Sequence, residues 1–320
     1  MTASLPEDVQ AVFDRFITTE YTTVDRRGQP ITWPVTPYHR PDEGTIDVTT
    51  GLGYPKKAND AAANPMVALL FSDPTGCELD DPPIVLVQGT ASVDDRDLDE
   101  NRDRYLRESL EKLPREARSM LPPRSLQRLF NWYFTRIYVR IRPERIYVWR
   151  GGLDEEPELL DAHLEEVSSG HNQEPPAAHA GPRVREPVWD ARIEELGRMY
   201  ETAVLTLVSP DGFPFSARVP VDLDRDGRRI RIPRAPLGVP LQPGLACLTA
   251  HEHAPDFSWN RNFQVRGDLV EDDSGWSLVP AKLVGGFDSP PGGRLARFRR
   301  NLPKALRFRR IAKRELAKRS

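Results

Sequence analysis

The sequence predicts a mainly β protein with peripheral helices, built as two β-barrels in tandem. Three observations lead there. The chain repeats itself, each copy is a series of short apolar or β-branched segments parted by turn residues, and 320 residues suffice for two separate cores.

The repeat is specific. Val24-Asp25-Arg26-Arg27-Gly28-Gln29-Pro30-Ile31 returns 184 positions later as Val208-Ser209-Pro210-Asp211-Gly212-Phe213-Pro214-Phe215, and the same shift carries Val35 onto Val219, Ile46 onto Ile230 and Val48 onto Ile232. After a slip of six residues, a shift of 178 carries Pro65 onto Pro243, Ala68 onto Ala246, Leu70 onto Leu248, Val87 onto Val265 and Gly89 onto Gly267. The six residues missing from the second copy fall in the stretch that holds Lys56 and Lys57 in the first.

Each copy opens on an amphipathic helix, Pro6 to Phe16 and Val188 to Tyr200, with Val9, Val12 and Phe16 matching Ile193, Leu196 and Tyr200. Thr22 to Val24 and Thr206 to Val208 then run into turns holding Asp-Arg-Arg-Gly and Pro-Asp-Gly, which predict hairpins. The next strands are Ile31 to Tyr38 and Phe215 to Leu223, followed by Thr45 to Thr49 and Arg229 to Ile232. Val67 to Phe71 and Ile84 to Ala91 match Leu245 to Thr249 and Phe263 to Leu269. Short antiparallel strands at this spacing suggest barrels. The first copy inserts a helical stretch, Leu98 to Phe134, before its closing strand, Arg136 to Trp149; Pro143-Glu144-Arg145-Ile146 there corresponds to Pro280-Ala281-Lys282-Leu283. Four parts follow: a barrel domain over 1–152, an acidic, Pro-rich linker of little fixed structure over 153–187, a second, degenerate barrel over 188–290, and a basic tail over 291–320.

Composition narrows the class. Apolar residues make up 38% and charged residues 29%, the balance of an ordinary globular protein. No apolar run approaches the roughly 20 residues that span a bilayer, and the N-terminus lacks the order of a secretory signal, so a cytoplasmic protein is expected. The only cysteines, Cys77 and Cys247, support neither a disulfide framework nor a thiolate metal site. The total charge of -3 hides a tail with twelve Lys or Arg and one Glu from Arg294 onward, +11, against -14 for the rest.

The stretch that carries chemistry reads Thr49-Thr50-Gly51-Leu52-Gly53-Tyr54-Pro55-Lys56-Lys57, then a short helix, then Asn64-Pro65 before the strand Val67 to Phe71. A glycine-containing loop with two lysines at a helix start suits a phosphate. This order resembles the flavin-binding split-barrel superfamily that includes pyridoxamine 5'-phosphate oxidase. There a strand ending in Thr is followed by a basic pair and by Asn-Pro seven residues beyond its second member, as from Lys57 to Asn64. The turn Asp25 to Pro30, the strand glycine Gly89 and the Pro-x-Arg-Ile of the closing strand extend the resemblance over nearly all of residues 6 to 150 and, more faintly, 188 to 287.

The resemblance implies two split β-barrels forming an intramolecular pseudo-dimer, with a flavin in the groove between them. It implies that Lys56 and Lys57 hold the phosphate, that Trp33, Pro34, Val35 and Thr36 pass the ring, and that Thr49 and Thr50 lie beside the ribityl chain or phosphate. The opposite barrel would supply an amide five residues before its strand glycine. Counting back from Gly267 gives Asn262; counting back from Gly89 gives Ile84, which cannot hydrogen-bond. One cofactor site per chain is therefore expected, with FMN as first choice, the deazaflavin coenzyme as alternative and haem as a more distant one.

The implied activity is flavin-dependent hydride transfer to or from a small molecule, with no side chain assigned as acid or base; the competing class is a non-catalytic flavin or haem binder. Departures argue against a vitamin B6 oxidase. Trp33 to Tyr38 lacks the charges of the oxidase strand, whereas Ser216-Ala217-Arg218-Val219 in the second copy is closer to it. No counterpart of the oxidase's substrate-binding Arg and His is visible.

Three further features stand outside this pattern. His251-Glu252-His253 is expected on an exposed or substrate-facing loop after a strand ending at Thr249, and a metal there would need a third ligand, so none is assigned. The cluster Phe130, Trp132, Tyr133 and Phe134 reads as core. In the tail, Leu295, Phe298, Leu302, Ala305 and Leu306 share a helical face among arginines. Two readings stay open for it: peripheral contact with an anionic membrane, or a helix folded back on the acidic body. No specific nucleic-acid partner is expected, and the pseudo-dimer is expected to be a monomer.

Overall fold

The computed structural model describes residues 5–114, 131–152, 154–161, 186–273, 275–286 and 294–319; in the last segment, side chains are described from Leu306. In the first half, helix α1 (Glu7–Arg15) is followed by β1 (Thr19–Val24), β2 (Pro30–Val35), β3 (Tyr38–Arg40), β4 (Thr45–Gly51), α2 (Lys56–Ala63), β5 (Met66–Phe71), β6 (Ile84–Asp94), α3 (Leu98–Lys112), α4 (Asn131–Phe134), β7 (Arg136–Trp149) and β8 (Glu158–Asp161). The second half holds α5 (Ala191–Met199), β9 (Thr202–Val208), β10 (Pro214–Pro220), β11 (Asp222–Asp224), β12 (Arg229–Ile232), β13 (Gly244–His253), β14 (Asn260–Asp272), β15 (Gly275–Gly285) and the C-terminal helix α6 (Arg294–Arg319).

The two sheets repeat one topology. Their strand orders are β2-β1-β5-β6-β7-β4-β3 and β10-β9-β13-β14-β15-β12-β11, position for position the order the sequence repeat requires. Details repeat as well. The first hairpin of each copy turns on a glycine in the left-handed region, Gly28 at φ 78° and Gly212 at φ 89°, where other residues are strained. Each long hairpin carries a bulge at its strand glycine, between Gln88 and Gly89 and between Arg266 and Gly267. A Cβ at Gly89 would run into the carbonyl oxygen of Arg142, and one at Gly267 into that of Val279, so the chain needs glycine there for close approach of backbone.

The seam between the halves explains why the central strands are apolar on both faces. In β5, Val67, Leu69 and Phe71 point into the first core with Phe13, Val87 and Ile141, while Ala68 and Leu70 on the other face join Leu86 and Trp149 against Leu205, Phe215 and Leu248 of the second half. At its centre four buried hydroxyls close a ring: Thr22 to Thr32 at 2.8 Å, Thr32 to Thr206 at 2.8 Å, Thr206 to Ser216 at 2.9 Å and Ser216 to Thr22 at 3.1 Å. Under the shift of 184, Thr22 maps to Thr206 and Thr32 to Ser216, so the ring exchanges equivalent residues of the two copies. Each hydroxyl donates once and accepts once, which satisfies all four in a dry interface.

Several elements differ from expectation. Glu158 to Asp161, read as linker, forms a strand that pairs with Arg145 to Val148 and extends the first sheet. His251 and His253 lie in no exposed loop, because β13 runs on to His253, pairs through to Asn260 and buries both rings. Within the inserted stretch, Trp132 and Phe134 are buried, as expected of core residues, while Phe130 lies outside the described residues. Most of the linker, residues 162–185, is likewise outside them.

The tail helix packs on the first barrel through Phe308, Ala312, Glu315 and Arg319. Ala312 enters the first core, Glu315 is buried, and Arg319 reaches Asp95 at 2.8 Å. Leu306 faces away from this contact and is 52% exposed; the side chains of Leu295, Phe298, Leu302 and Ala305 lie outside the described residues. Among the described residues, no helix is long and apolar enough to cross a membrane.

Candidate functional site

A cavity of about 410 Å³ opens along the seam, within the range of pockets that bury small molecules. Both halves line it. Of the residues singled out from the sequence, Trp33, Pro34, Val35, Thr36, Thr49, Lys56, Lys57 and Asn262 all face it. Thr50 does not; its Oγ1 donates to the carbonyl of Tyr54 at 2.9 Å and fixes the loop before α2.

The loop is built from backbone bonds. The N–H groups of Leu52 and Gly53 donate to the carbonyls of Thr135 and Trp132, both at 3.2 Å, so they are spent on structure. Pro55 then starts α2 without a side-chain cap, which leaves its first-turn N–H groups beside the two lysines. The lysines differ in role. Lys56 is held by Asp60 at 2.9 Å and lies 3.8 Å from Asp25, so its charge is already matched. Lys57 has no carboxylate within ion-pair reach among the described residues, and its ammonium lies 5.8 Å from the ring centre of Tyr54. Burial, and secondarily the charge of Arg136, lowers its pKa to about 7.

Arg136 is the member of this group that sequence reasoning missed. It stands at the start of β7, donates to the hydroxyls of Tyr54 at 3.0 Å and Tyr105 at 2.7 Å, and lies 4.0 Å and 4.3 Å from the ring centres of Tyr105 and Tyr133. Phenols and π faces surround the guanidinium, but no carboxylate pairs with it among the described residues, and its buried Nε lacks a partner. Two basic groups in one cavity, neither paired with a carboxylate among the described residues, form a preorganised anion site. Phe308 of α6 walls the same end, with its ring 5.6 Å from Tyr54 and 5.5 Å from Trp132.

The second half lines the other part of the cavity with a four-residue face. In the β13–β14 ladder His251 stands opposite Asn262 and His253 opposite Asn260. Asn262 lies against Gly286, where a Cβ would collide with its amide. His253 bonds Thr18 of the first half at 3.0 Å through Nε2 and the carbonyl of Ala254 at 2.9 Å through Nδ1, and its ring stacks on Phe257 at 4.4 Å. This is the neutral tautomer with the proton on Nδ1, in keeping with burial, which lowers its pKa. Phe257 takes a left-handed backbone, φ 54°, to present that ring.

Behind this face a charged network ties the halves together. Glu20, fully buried, accepts from Arg218 at 2.7 Å and Ser72 at 2.8 Å and contacts His251 at 2.8 Å. Burial pushes the Glu20 carboxyl up, but the His251 bond and the charges of Arg218 and His251 outweigh it and hold its pKa below the ordinary value. Among the described residues, no group of three His, Cys, Asp or Glu is arranged to hold a metal ion.

No family model and no curated protein matches the chain. Solved structures similar to it include a putative pyridoxamine 5'-phosphate oxidase from Listeria innocua, with 17% identity over 45% of this chain and 98% of that one at a TM-score of 0.31. An F420 reductase matches with 19% identity over 44% of this chain and 98% of that one, TM-score 0.33. The heme storage protein HutZ from Vibrio cholerae matches with 18% identity over 45% and 94%, TM-score 0.31. The fold itself is read from strand order, hairpins and bulges. Each half of this chain is a split β-barrel. The groove residues come from both barrels, so one chain supplies both walls of the cavity.

Proposed function

We propose that this protein binds one phosphorylated, flat-ring cofactor of the flavin type in the seam cavity and acts as an oxidoreductase on a small molecule. The observation that carries this reading is the pair of unneutralised cations, Lys57 and Arg136, at one end of a cavity whose remaining wall offers backbone, aromatic and carboxamide surface. An anion is needed there. The donor set fits a phosphate, and the end of β2 from Trp33 with the following Thr36 offers an extended edge along which a planar ring lies, facing Asn262 from the other half.

FMN is favoured over the deazaflavin coenzyme and haem. Its phosphate is a terminal monoester, which needs no room beyond the phosphorus at an end walled by Phe308 and Tyr54. When bound, such a group supplies the hydride chemistry, while the protein's residues orient it and set its electrostatic surroundings. Lys57 and Arg136 hold the phosphate, Asn262 offers a hydrogen bond, and the buried histidine face shapes the substrate side. No side chain is assigned as acid or base: His253 uses both ring nitrogens within the seam, and His251 turns Nε2 to Glu20 while its buried Nδ1 makes no hydrogen bond.

The test is a titration of apoprotein with FMN, with deazaflavin and with haem, followed by mass spectrometry of the cofactor released from purified protein. One FMN per chain is expected, with binding lost in Lys57→Met/Arg136→Met. Two equivalent sites per chain, or full binding by the double variant, would overturn the reading.

A further inference from the structure

Helix α6 has two unlike sides. Its inner side, Phe308, Ala312, Glu315 and Arg319, is fixed to the first barrel by core packing and by the Arg319 bridge to Asp95. Its outer side carries Arg307, Arg309, Arg310, Lys313 and Arg314, all exposed, and none of the five makes an ion pair among the described residues. The single acidic residue of the described helix, Glu315, is turned inward and bonded to Lys318 and Arg319, so no carboxylate of the helix itself offsets the outer charge. Two exposed apolar residues stand among the cations, Leu306 at 52% and Leu316 at 46%.

We propose that the outer face of α6 docks on an anionic lipid surface. The rest of the chain carries -14, yet these five cations pair with no carboxylate among the described residues, and their exposed side chains point to solvent. A bilayer interface takes cations at the headgroups and leucines just below them. A nucleic-acid backbone takes the cations alone and has no place for the leucines. The inner anchor holds the helix in place before docking, so no ordering cost attends binding. Because Phe308 on the same helix walls the cavity, a docked chain keeps that cavity about one helix diameter, roughly 10–12 Å, from the headgroups. This inference stands apart from the cofactor reading and survives its failure.

The test is co-sedimentation of the full chain with vesicles of phosphatidylcholine alone and of phosphatidylcholine with phosphatidylserine, for the native protein and for Arg310→Glu/Lys313→Glu/Arg314→Glu. Each cation near an anionic bilayer strengthens binding about five-fold, so the variant loses at least about a hundred-fold in affinity for serine-containing vesicles. Native binding is expected to require phosphatidylserine and to weaken as salt rises. An unchanged thermal melt shows that the exposed substitutions leave the fold intact. Equal binding to phosphatidylcholine alone, undiminished binding by the variant, tighter binding to duplex DNA at the same salt, or charge-dependent self-association without vesicle binding would each overturn the proposal.

Discussion

Replacing Lys57 with Met probes the anion site where its physics is most distinctive. In the ligand-free cavity, burial and then the charge of Arg136 lower the Lys57 pKa to about 7, so the amine is about half charged at neutral pH. A phosphate dianion placed between the two cations favours the charged form and draws that pKa back up. Binding therefore takes up about half a proton near pH 7 and nearly a whole one near pH 8, and affinity falls about tenfold per pH unit above about 7. Below about pH 6 the phosphate monoester itself protonates and affinity falls again, which gives a maximum between the two. Lys57→Met removes the upper limb and weakens binding at the maximum by about 1.5–3 kcal/mol, the worth of a charged hydrogen bond. Fluorescence titrations with FMN across about pH 6 to 9, with calorimetry in two buffers of different ionisation heat, read both quantities. Stability without ligand runs the opposite way. The unfolded chain, with Lys57 near its ordinary 10.5, binds more protons between about 7 and that value, so apoprotein stability rises with pH through the window where affinity falls. A level or rising affinity above pH 7, or a Met variant that keeps the slope, refutes the reasoning.

Three further outcomes are expected. Thr32→Val leaves Thr22 and Thr206 each one bond short in the dry seam and costs about 1–3 kcal/mol in urea unfolding, whereas replacing all four ring hydroxyls costs less than the sum of the four single changes. Gly53→Ala places a Cβ 2.8 Å from Cβ of Phe308 and 3.0 Å from Cε3 of Trp132, so α6 must shift at a cost of about 1–3 kcal/mol, and trypsin should cut the tail faster than in the native chain. Glu20→Gln strips half-buried Arg218 of its buried carboxylate partner and lowers stability by about 1–3 kcal/mol. Because the folded pKa of Glu20 is depressed, its contribution is complete above about pH 4.5 and disappears as pH falls through the lower folded value, so the acid limb of the native stability curve should be shallower in the variant.

The barrels were legible because their signals are local. Asp25 to Pro30 and Ser209 to Phe213 announce hairpins by turn chemistry, and the repeat extends that reading to the strands the two copies share. β8 was not legible: Glu158-Leu159-Leu160-Asp161 shows no alternation, Leu159 is 50% exposed, and the segment becomes a strand by borrowing the open edge of β7. The inner face of α6 was hidden for a related reason. Two of its four anchors, Glu315 and Arg319, are charged, so a search for apolar periodicity selects another side of the helix. In the site, Lys57 was found through its spacing to Asn64-Pro65, but Arg136 was not. Arg136, Arg140 and Arg142 alternate with Ile137 and Ile141 as solvent-facing residues of a strand do, and it is the return of Tyr54 and Tyr105 from distant segments, beside neighbouring Tyr133, that buries the first of them.

The asymmetry of the duplicated seam bears on how many sites the chain holds. Carried onto the second copy, Lys57 falls in the deleted loop; carried by the shift of 137 that relates Pro143 to Pro280, Arg136 falls on the acid Asp273. The second copy does keep a cation where the first has Pro34, namely Arg218, but Glu20, Ser72 and His251 occupy it. Asn262 and His251, which face the cavity, answer to Ile84 and Asp73 in the first copy. The second copy thus lacks counterparts of Lys57 and Arg136, and its own Arg218 is engaged by the seam, so one copy carries the anion site and the other helps lock the halves together. A duplicated pair of barrels in a single chain is free to divide these tasks, whereas two identical chains must place the same residue on both sides of their axis.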